Sequence, residues 1–92
     1  MAEVVGDPDE IESFARDLDA YCQSTREDLM RLCAHLDRME SERSWADEIY
    51  RHYRGMFESA SHSLQQTLDF VRDEHLQHLR LVVQRLREYL NE

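Results

Sequence analysis

The sequence predicts an all-α protein folded as an antiparallel hairpin of two helices. Its 92 residues include two glycines and one proline, too few for the tight turns of a β-rich fold. Charged residues make up 34% of the chain, a composition typical of long, solvated helices. Apolar residues also recur at helical spacing through two long stretches. A chain of this length is expected to form one domain, residues 1–92.

The first helix is expected at about residues 8–40. Asp7 is the predicted N-cap, Pro8 takes the first helical position and Glu10 the third. An apolar series then follows at steps of three and four, with Thr25 filling one position. It predicts which side of the helix is buried. Its apolar members are Ile11, Phe14, Leu18, Tyr21, Leu29, Leu32, Leu36 and Met39, and Ala15, Cys22 and Cys33 widen the stripe.

The second helix is expected at about residues 45–90. Its apolar stripe follows steps of four, four and three, which is an eleven-residue repeat. Such a repeat predicts a nearly straight or slightly right-handed helix rather than a tight left-handed coiled coil. The stripe comprises Ile49, Tyr53, Phe57, Ala60, Leu64, Leu68, Val71, His75, Leu79, Val82, Leu86 and Leu90.

A turn is predicted at about residues 41–44, although periodicity alone leaves one continuous helix open. Ser41 and Ser44 compete with the helical backbone for hydrogen bonds. The run "SWAD" resembles a capping box, with Ser44 as N-cap and Asp47 at the third helical position. Trp45 therefore marks the turn, where its ring can cover the ends of both helices.

The charge distribution favours folding back and excludes two classes of partner. Acidic residues concentrate in the N-terminal third and arginines at the end of the second helix, so a hairpin sets them opposite each other. The net charge of −9 leaves no basic stripe for nucleic acid and disfavours an anionic membrane surface. No run is apolar enough to span a bilayer, and the first residues lack the pattern of a Sec signal peptide.

Two amphipathic helices with a tryptophan at the turn, in an acidic chain of this length, resemble the WXG family of small type VII secretion substrates. The resemblance covers nearly the whole chain. Trp45 matches the family's Trp-x-Gly turn motif, with Asp47 in place of the glycine, and Tyr50, Tyr53 and Phe57 stand where aromatic residues follow the motif. The family's export signal, Tyr-x-x-x-Asp/Glu, is approached at the end of the chain by Tyr89 and Glu92, three residues apart.

A dimer is predicted, because two helices alone cannot enclose a core. Pairing with itself or with a paralogous hairpin would give a four-helix bundle. Tyr50 lies off the apolar stripe and is a candidate for partner binding. The second helix should also overhang the first by roughly 18 Å. Either the N-terminal "MAEVV" folds over this overhang or, as we favour, the overhang docks on another chain. Docking would make further residues at the free end partner-binding, namely Val83, Leu86, Tyr89, Leu90 and Glu92.

No catalytic residue, cofactor or metal is predicted. The chain has no glycine-rich phosphate loop and no recognisable nucleophile motif. A metal site at His75, His78 and Glu74 is an alternative, since helical bundles can hold metals. The spacing Glu-x-x-x-His, however, recurs along the second helix and is ordinary pairing of helix side chains.

The function that these features favour is a WXG-like type VII secretion protein, acting as substrate, carrier or targeting partner through helix–helix contacts. A secretion ATPase or a toxin is a further expected partner. The protein would be cytoplasmic before export and secreted without a Sec signal peptide. The alternatives are a cytosolic adaptor or chaperone-like dimer that is never exported and, third, a metal-binding helical bundle.

Overall fold

The computed structural model describes residues 5–91 and confirms an all-helical hairpin. Helix α1 spans Pro8–Ser41, α2 spans Glu48–Phe70 and α3 spans Leu76–Leu90. A π-helical turn, Val71–His75, joins α2 to α3 without a break, so the three segments form one long second arm. The arms run antiparallel, and the molecule measures 66 × 20 × 15 Å.

The start of α1 follows from its first residues. The Asp7 side chain accepts hydrogen bonds from the backbone N–H groups of Asp9 (2.9 Å) and Glu10 (3.4 Å), so Asp7 is the N-cap, as predicted. Pro8 occupies the first helical position, where its missing N–H and fixed φ are tolerated. Asp9 and Glu10 place negative charge at the positive end of the helix dipole.

The connection between the arms begins with a Schellman motif. The backbone N–H of Ser44 bonds to the carbonyl oxygen of Met39 (2.9 Å), and that of Arg43 bonds to Glu40 (3.1 Å). Arg43 occupies the left-handed position of this motif with φ of 60°, where glycine is usual. Ser44 therefore still belongs to the C-terminal cap of α1.

The predicted N-cap at Ser44 is consequently wrong. Asp47 caps the second arm instead, and its side chain accepts a 2.9 Å hydrogen bond from the backbone N–H of Tyr50. The second arm begins at Glu48, three residues later than the sequence pattern indicates. Trp45 and Asp47 both lie in the connection, at the tip of the hairpin.

The buried residues form a narrow seam between the arms, and of the predicted stripes only Leu29, Leu36 and Leu68, besides the widening residues Ala15 and Cys22, belong to it. On α1 its members stand seven residues apart: Ala15, Cys22, Leu29 and Leu36. The second arm contributes Tyr50, Ser61, Leu68, Leu76 and Val83. A seven-residue spacing is that of helices in coiled-coil contact. Of the eleven-residue stripe only Leu68 lies in the seam, so the stripe runs beside the side of the second arm that faces α1.

The π-turn keeps the second arm in phase with α1. Ser61 and Leu68 are seven residues apart, as are Leu76 and Val83, but Leu68 and Leu76 are eight apart. The wide turn absorbs the extra residue, since a π-helix bonds residue i to i+5 and single π-turns occur inside α-helices. The backbone N–H of Leu76 bonds to the carbonyl oxygen of Val71 in this way. The seam thus continues into α3 on the same side.

Ion pairs join the arms along one edge of the seam. Arg87 near the end of the second arm contacts Asp9 and Glu12 at the start of α1, and Arg72 lies 3.6 Å from Asp19. These pairs confirm that the acidic third of α1 faces the arginines of α3 and the π-turn. The charge pairs of Arg26 with Asp69 and of Arg54 with Asp37 continue the edge toward the turn.

Candidate partner-binding face

Tyr50 is buried, so its predicted role as a surface residue is wrong. Its side chain is 0% exposed, and its hydroxyl donates a 2.8 Å hydrogen bond to the backbone carbonyl oxygen of Leu36. The sequence pattern predicts an exposed Tyr50 because the residue lies off the apolar stripe, and the stripe is the side expected to be buried. Since the seam lies to one side of that stripe, Tyr50 faces α1.

Arg54 ties the Tyr50 hydroxyl to the charges around it. Its Nη1 donates to the Tyr50 hydroxyl oxygen (2.9 Å) and to Asp37, and its Nε donates to Glu58 (2.8 Å). These hydrogen bonds, that to Tyr50 first, raise the pKa of Arg54 above its ordinary value. The hydroxyl thus has both a donor and an acceptor partner, as a buried polar group requires.

Trp45 packs on the first aromatic residues of α2 and forms the tip of the hairpin. Its ring meets Tyr50 edge-on, with centroids 5.4 Å apart, and lies 5.8 Å from Tyr53. Tyr53 in turn stacks on Phe57 at 6.4 Å. Aromatic pairs at these distances add to the energy of simple burial. Trp45 and Tyr53 remain partly open to solvent, so one side of this aromatic cluster is uncovered.

Much of the predicted stripe forms an apolar face beside the seam, and this face is largely uncovered. On α1, Phe14 is 57%, Tyr21 63% and Leu32 50% exposed. These residues share one side of the helix because they follow its three- and four-residue spacing. We define the apolar face as Phe14, Leu18, Tyr21 and Leu32 of α1 with Tyr53, Phe57, Leu64, Val71 and Leu79 of the second arm.

Two grooves between the arms open onto this face. The turn-end groove, about 280 Å³, is lined by Leu32, His35, Leu36, Met39, Trp45, Tyr53 and Phe57. The open-end groove, about 620 Å³, is lined by Phe14, Leu18, Val71, Glu74, His75, His78 and Leu79. Each has apolar walls from both arms, so a third helix laid along the face would contact α1 and the second arm together.

The end of the second arm is partly covered, up to Leu86. Val83 is buried in the seam, Leu86 is half-buried, and a Cβ built on Gly6 would lie 2.9 Å from Leu86. Gly6, which precedes α1, thus lies against α3 at Leu86. Residues 1–4 of "MAEVV" lie outside the described residues. Of the predicted partner-binding residues here, Tyr89 and Leu90 are exposed at 55% and 60%. Glu92 lies outside the described residues.

The histidines of the π-turn region do not form a metal site with their neighbours. Within residues 5–91, no group of three or more His, Cys, Asp and Glu side chains could hold a metal ion. His75 instead contacts the edge of Phe70, with ring centroids 5.5 Å apart. The wide π-turn brings these two residues, five apart in sequence, one above the other. Cys22 and Cys33 are both free thiols.

The fold and this face define a helical hairpin with a closed seam and an uncovered apolar side. Comparisons with protein-family models, with curated proteins and with solved structures find no match for the chain. In the part of the chain that the structure describes, none of the helices combines the length and the apolar character needed to span a membrane.

Proposed function

We propose that this chain is a WXG-like type VII secretion protein that acts as a substrate, carrier or targeting partner by pairing with another helical hairpin. The uncovered apolar face is the observation that supports the proposal most. It gives the hairpin a surface that a further helical element can cover along its length. Trp45 at the tip and the antiparallel arms agree with the family that the sequence resembles.

The size of the surface supports a partner. A compact monomer of 11.1 kDa is expected to expose about 5,650 Å². The chain exposes 7361 Å², which is roughly 1,700 Å² more than that expectation. A standard protein interface covers about 800 Å² on each partner. The excess is therefore large enough for an extended interface along the hairpin.

Pairing through the apolar face would give a four-helix bundle. Both arms present apolar residues at helical spacing on that side, which is the requirement for a bundle core. Phe14 and Tyr21 on α1 and Tyr53 and Leu64 on the second arm would become its layers. The seam would stay as it is, so pairing would add a second buried layer without unfolding the first.

Export is the test that separates secretion from a purely cytosolic adaptor role. The chain would be produced in a bacterium that carries a type VII system and in the same strain lacking the system's ATPase. We expect the protein in the culture medium of the first strain only, with a cytosolic marker enzyme absent from both media. Equal amounts in both media, or retention in both cells, would contradict the proposal.

Trp45→Ala adds a structural control to the export test. The ring contacts Tyr50 and Tyr53 at the surface of the tip, so its loss should lower the free energy of unfolding by ~1–3 kcal/mol and leave most helicity intact. Circular dichroism checks the fold and the medium checks export. Loss of export in a folded Trp45→Ala variant would identify the ring as a recognition element.

A further inference from the structure

A series of exposed residues runs along α1 beside the apolar face, at the same seven-residue spacing as the seam. We call this series the charged edge, and its members are Glu10, Asp17, Ser24, Arg31 and Arg38. The first four stand five residues before the four seam residues of α1, so the edge keeps one position relative to the second arm. Its acidic residues flank Phe14 of the open-end groove, and its arginines flank His35 of the turn-end groove, each one helical turn away.

The charged edge is complementary to itself. Glu10 and Arg38 are equally far from Ser24 in sequence, and so are Asp17 and Arg31. A second copy laid on the apolar face with opposite ends together is related to the first by a half-turn, which sets α1 of one copy antiparallel over α1 of the other. Each carboxylate of one edge then lies beside an arginine of the other edge. Each pair occurs twice, because such an interface is isologous.

The apolar residues of α1 obey the same half-turn. Leu18 and Leu32 stand seven residues either side of Thr25, and Ile11 and Met39 stand fourteen either side. Each therefore meets its apolar counterpart when two copies of α1 pack with opposite ends together. The middle of α1, Pro8–Ser41, also falls between residues 24 and 25, so the two helices overlap along their whole length.

The charges of the edge are available for pairing between copies. In the part of the chain that the structure describes, Glu10, Asp17 and Arg38 form no ion pair. Arg31 pairs only with Asp28 of its own helix (3.1 Å), and both side chains are exposed. The net charge of −9 on each chain opposes association in general, but at about 0.15 M salt exposed charges are largely screened beyond about 8 Å.

Packing with like ends together matches the edge less well. That arrangement places α1 over the second arm of the other copy. The two carboxylates of the edge could then meet His78 and Arg85, which are seven residues apart on α3. The two arginines would lie against the outer side of α2 near the turn, where no acidic residue is found. This side is lined by Arg51, His52, Gly55, Met56, Ser59, Ala60 and Ser63.

We infer that a second copy of this chain occupies the apolar face, with opposite ends together, and that the charged edge sets this orientation. The inference rests on the proposed pairing through the apolar face and names the partner. The charge pairs lie at the rim of the interface, so they select the orientation while the apolar contacts supply the area.

Three altered copies test the charged edge. The all-positive copy carries Glu10→Arg and Asp17→Arg, and the all-negative copy carries Arg31→Glu and Arg38→Glu. The exchanged copy carries all four changes, so it keeps the net charge of the wild type and is again complementary to itself. Sedimentation equilibrium at about 0.15 M salt gives each dissociation constant. The solution is kept at about pH 8, where histidine is mostly neutral, because histidines also line both grooves.

Two controls accompany these copies. Asp73→Arg with Glu88→Arg gives the net charge of the all-positive copy, with both changes at exposed positions that line neither groove. Glu10 and Arg38 also suit the dipole at their ends of α1, so circular dichroism checks that every copy folds. The whole set is repeated with the changes at Asp17 and Arg31 alone, away from the helix ends.

The exchanged copy should self-associate as tightly as the wild type. The all-positive and all-negative copies should each self-associate about tenfold more weakly, and their mixture should recover the wild-type affinity. The control of equal net charge should not weaken association. About 0.5 M salt should remove most of these differences, because exposed charges are then screened. An exchanged copy that associates no better than the all-positive copy, or a wild type that is monomeric at about 1 mM, would overturn the inference.

Tyr21→Asp separates this inference from the proposals on which it rests. Tyr21 belongs to the apolar face and is 63% exposed, so the hairpin should keep its fold. If this change weakens the dimer but the charge changes do not, the face pairs without this orientation and the inference fails alone. A monomeric wild type that is still exported also defeats the inference alone. A dimer that Tyr21→Asp leaves intact would contradict the proposed pairing through the face.

Discussion

The hydroxyl of Tyr50 donates a hydrogen bond to the backbone carbonyl oxygen of Leu36, across the gap between the two arms. The two residues are 14 apart in sequence and both are buried. Because this contact closes the hairpin just beyond its turn, it fixes how the second arm leaves the connection. Substitutions and single-residue deletions can test this contact and the other features of the turn and the seam.

Tyr50→Phe should lower the free energy of unfolding by about 1–2 kcal/mol. The change removes the hydroxyl, so the Leu36 carbonyl oxygen and the Arg54 guanidinium each lose a hydrogen bond. Urea unfolding followed by circular dichroism measures this. Tyr53→Phe is the matched control: Tyr53 is 43% exposed, and its hydroxyl forms no hydrogen bond within residues 5–91. Equal effects of the two changes would show that the Tyr50 hydroxyl does not stabilise the fold.

Asp47→Ala should cost about 1 kcal/mol, whereas Asp47→Gly should cost only a few tenths. The reason is that Asp47 caps the second arm through the Tyr50 backbone N–H, and glycine is an acceptable N-cap. Thermal unfolding of both variants provides the comparison. A larger loss for glycine than for alanine would mean that residue 47 lies inside the helix.

Arg43→Gly should stabilise the hairpin by about 0.5–1 kcal/mol, because Arg43 holds a left-handed conformation that glycine adopts without steric cost. Glu42→Gly serves as the control, since Glu42 has an ordinary φ of −85°. That change should bring no gain. Urea midpoints of the two variants decide the matter, and a destabilised Arg43→Gly would indicate that the arginine side chain has a role of its own.

Deleting Asp73 should be tolerated within about 1 kcal/mol, because the π-turn would become an ordinary α-helical turn and Leu68 and Leu76 would be seven residues apart. Deleting Ser24, an exposed residue of α1 between Cys22 and Leu29, is the control. No wide turn is present there to absorb the change, so one half of the seam would rotate by about 100° and most of the stability should be lost. Circular dichroism and urea unfolding report both deletions. Comparable losses would refute the role given to the π-turn.

The sequence was sufficient to predict the helices, the N-cap at Asp7 and the turn at Trp45. It also predicted that the acidic end of the first arm faces the arginine-rich end of the second. These depend on local rules, or on charges that must meet once the chain folds back. The seam was predicted only in part. Leu29, Leu36 and Leu68 stand on the predicted stripes, and Ala15 and Cys22 widen the first of them, whereas Ser61 is polar and adds no apolar signal. Small residues such as Ala15, Cys22 and Ser61 allow the arms to approach each other closely. On α1, the seven-residue spacing of Ala15, Cys22, Leu29 and Leu36 is the pattern that could have identified the seam.

The candidate face was present in the sequence, but the sequence did not separate it from the seam. Phe14, Tyr21 and Tyr53 were expected to be buried within the hairpin or its dimer, since periodicity reveals an apolar side without naming what covers it. The π-turn left no sequence signal comparable to a proline or glycine. Its residues are ordinary helix formers, and only the eight-residue step in burial reveals it.

Both ends of the described chain lie together at the open end, where Gly6 faces Leu86 and Arg87 pairs with Asp9. A force applied between these ends therefore loads the contacts of the arms one after another rather than all at once. Arg87 and its partners would separate first, then the pairs of Arg72 and Arg26. The contact of Tyr50 with Leu36 would separate last. Pulling the two ends apart would thus open the molecule gradually, by peeling, without shearing the full length of the seam at once.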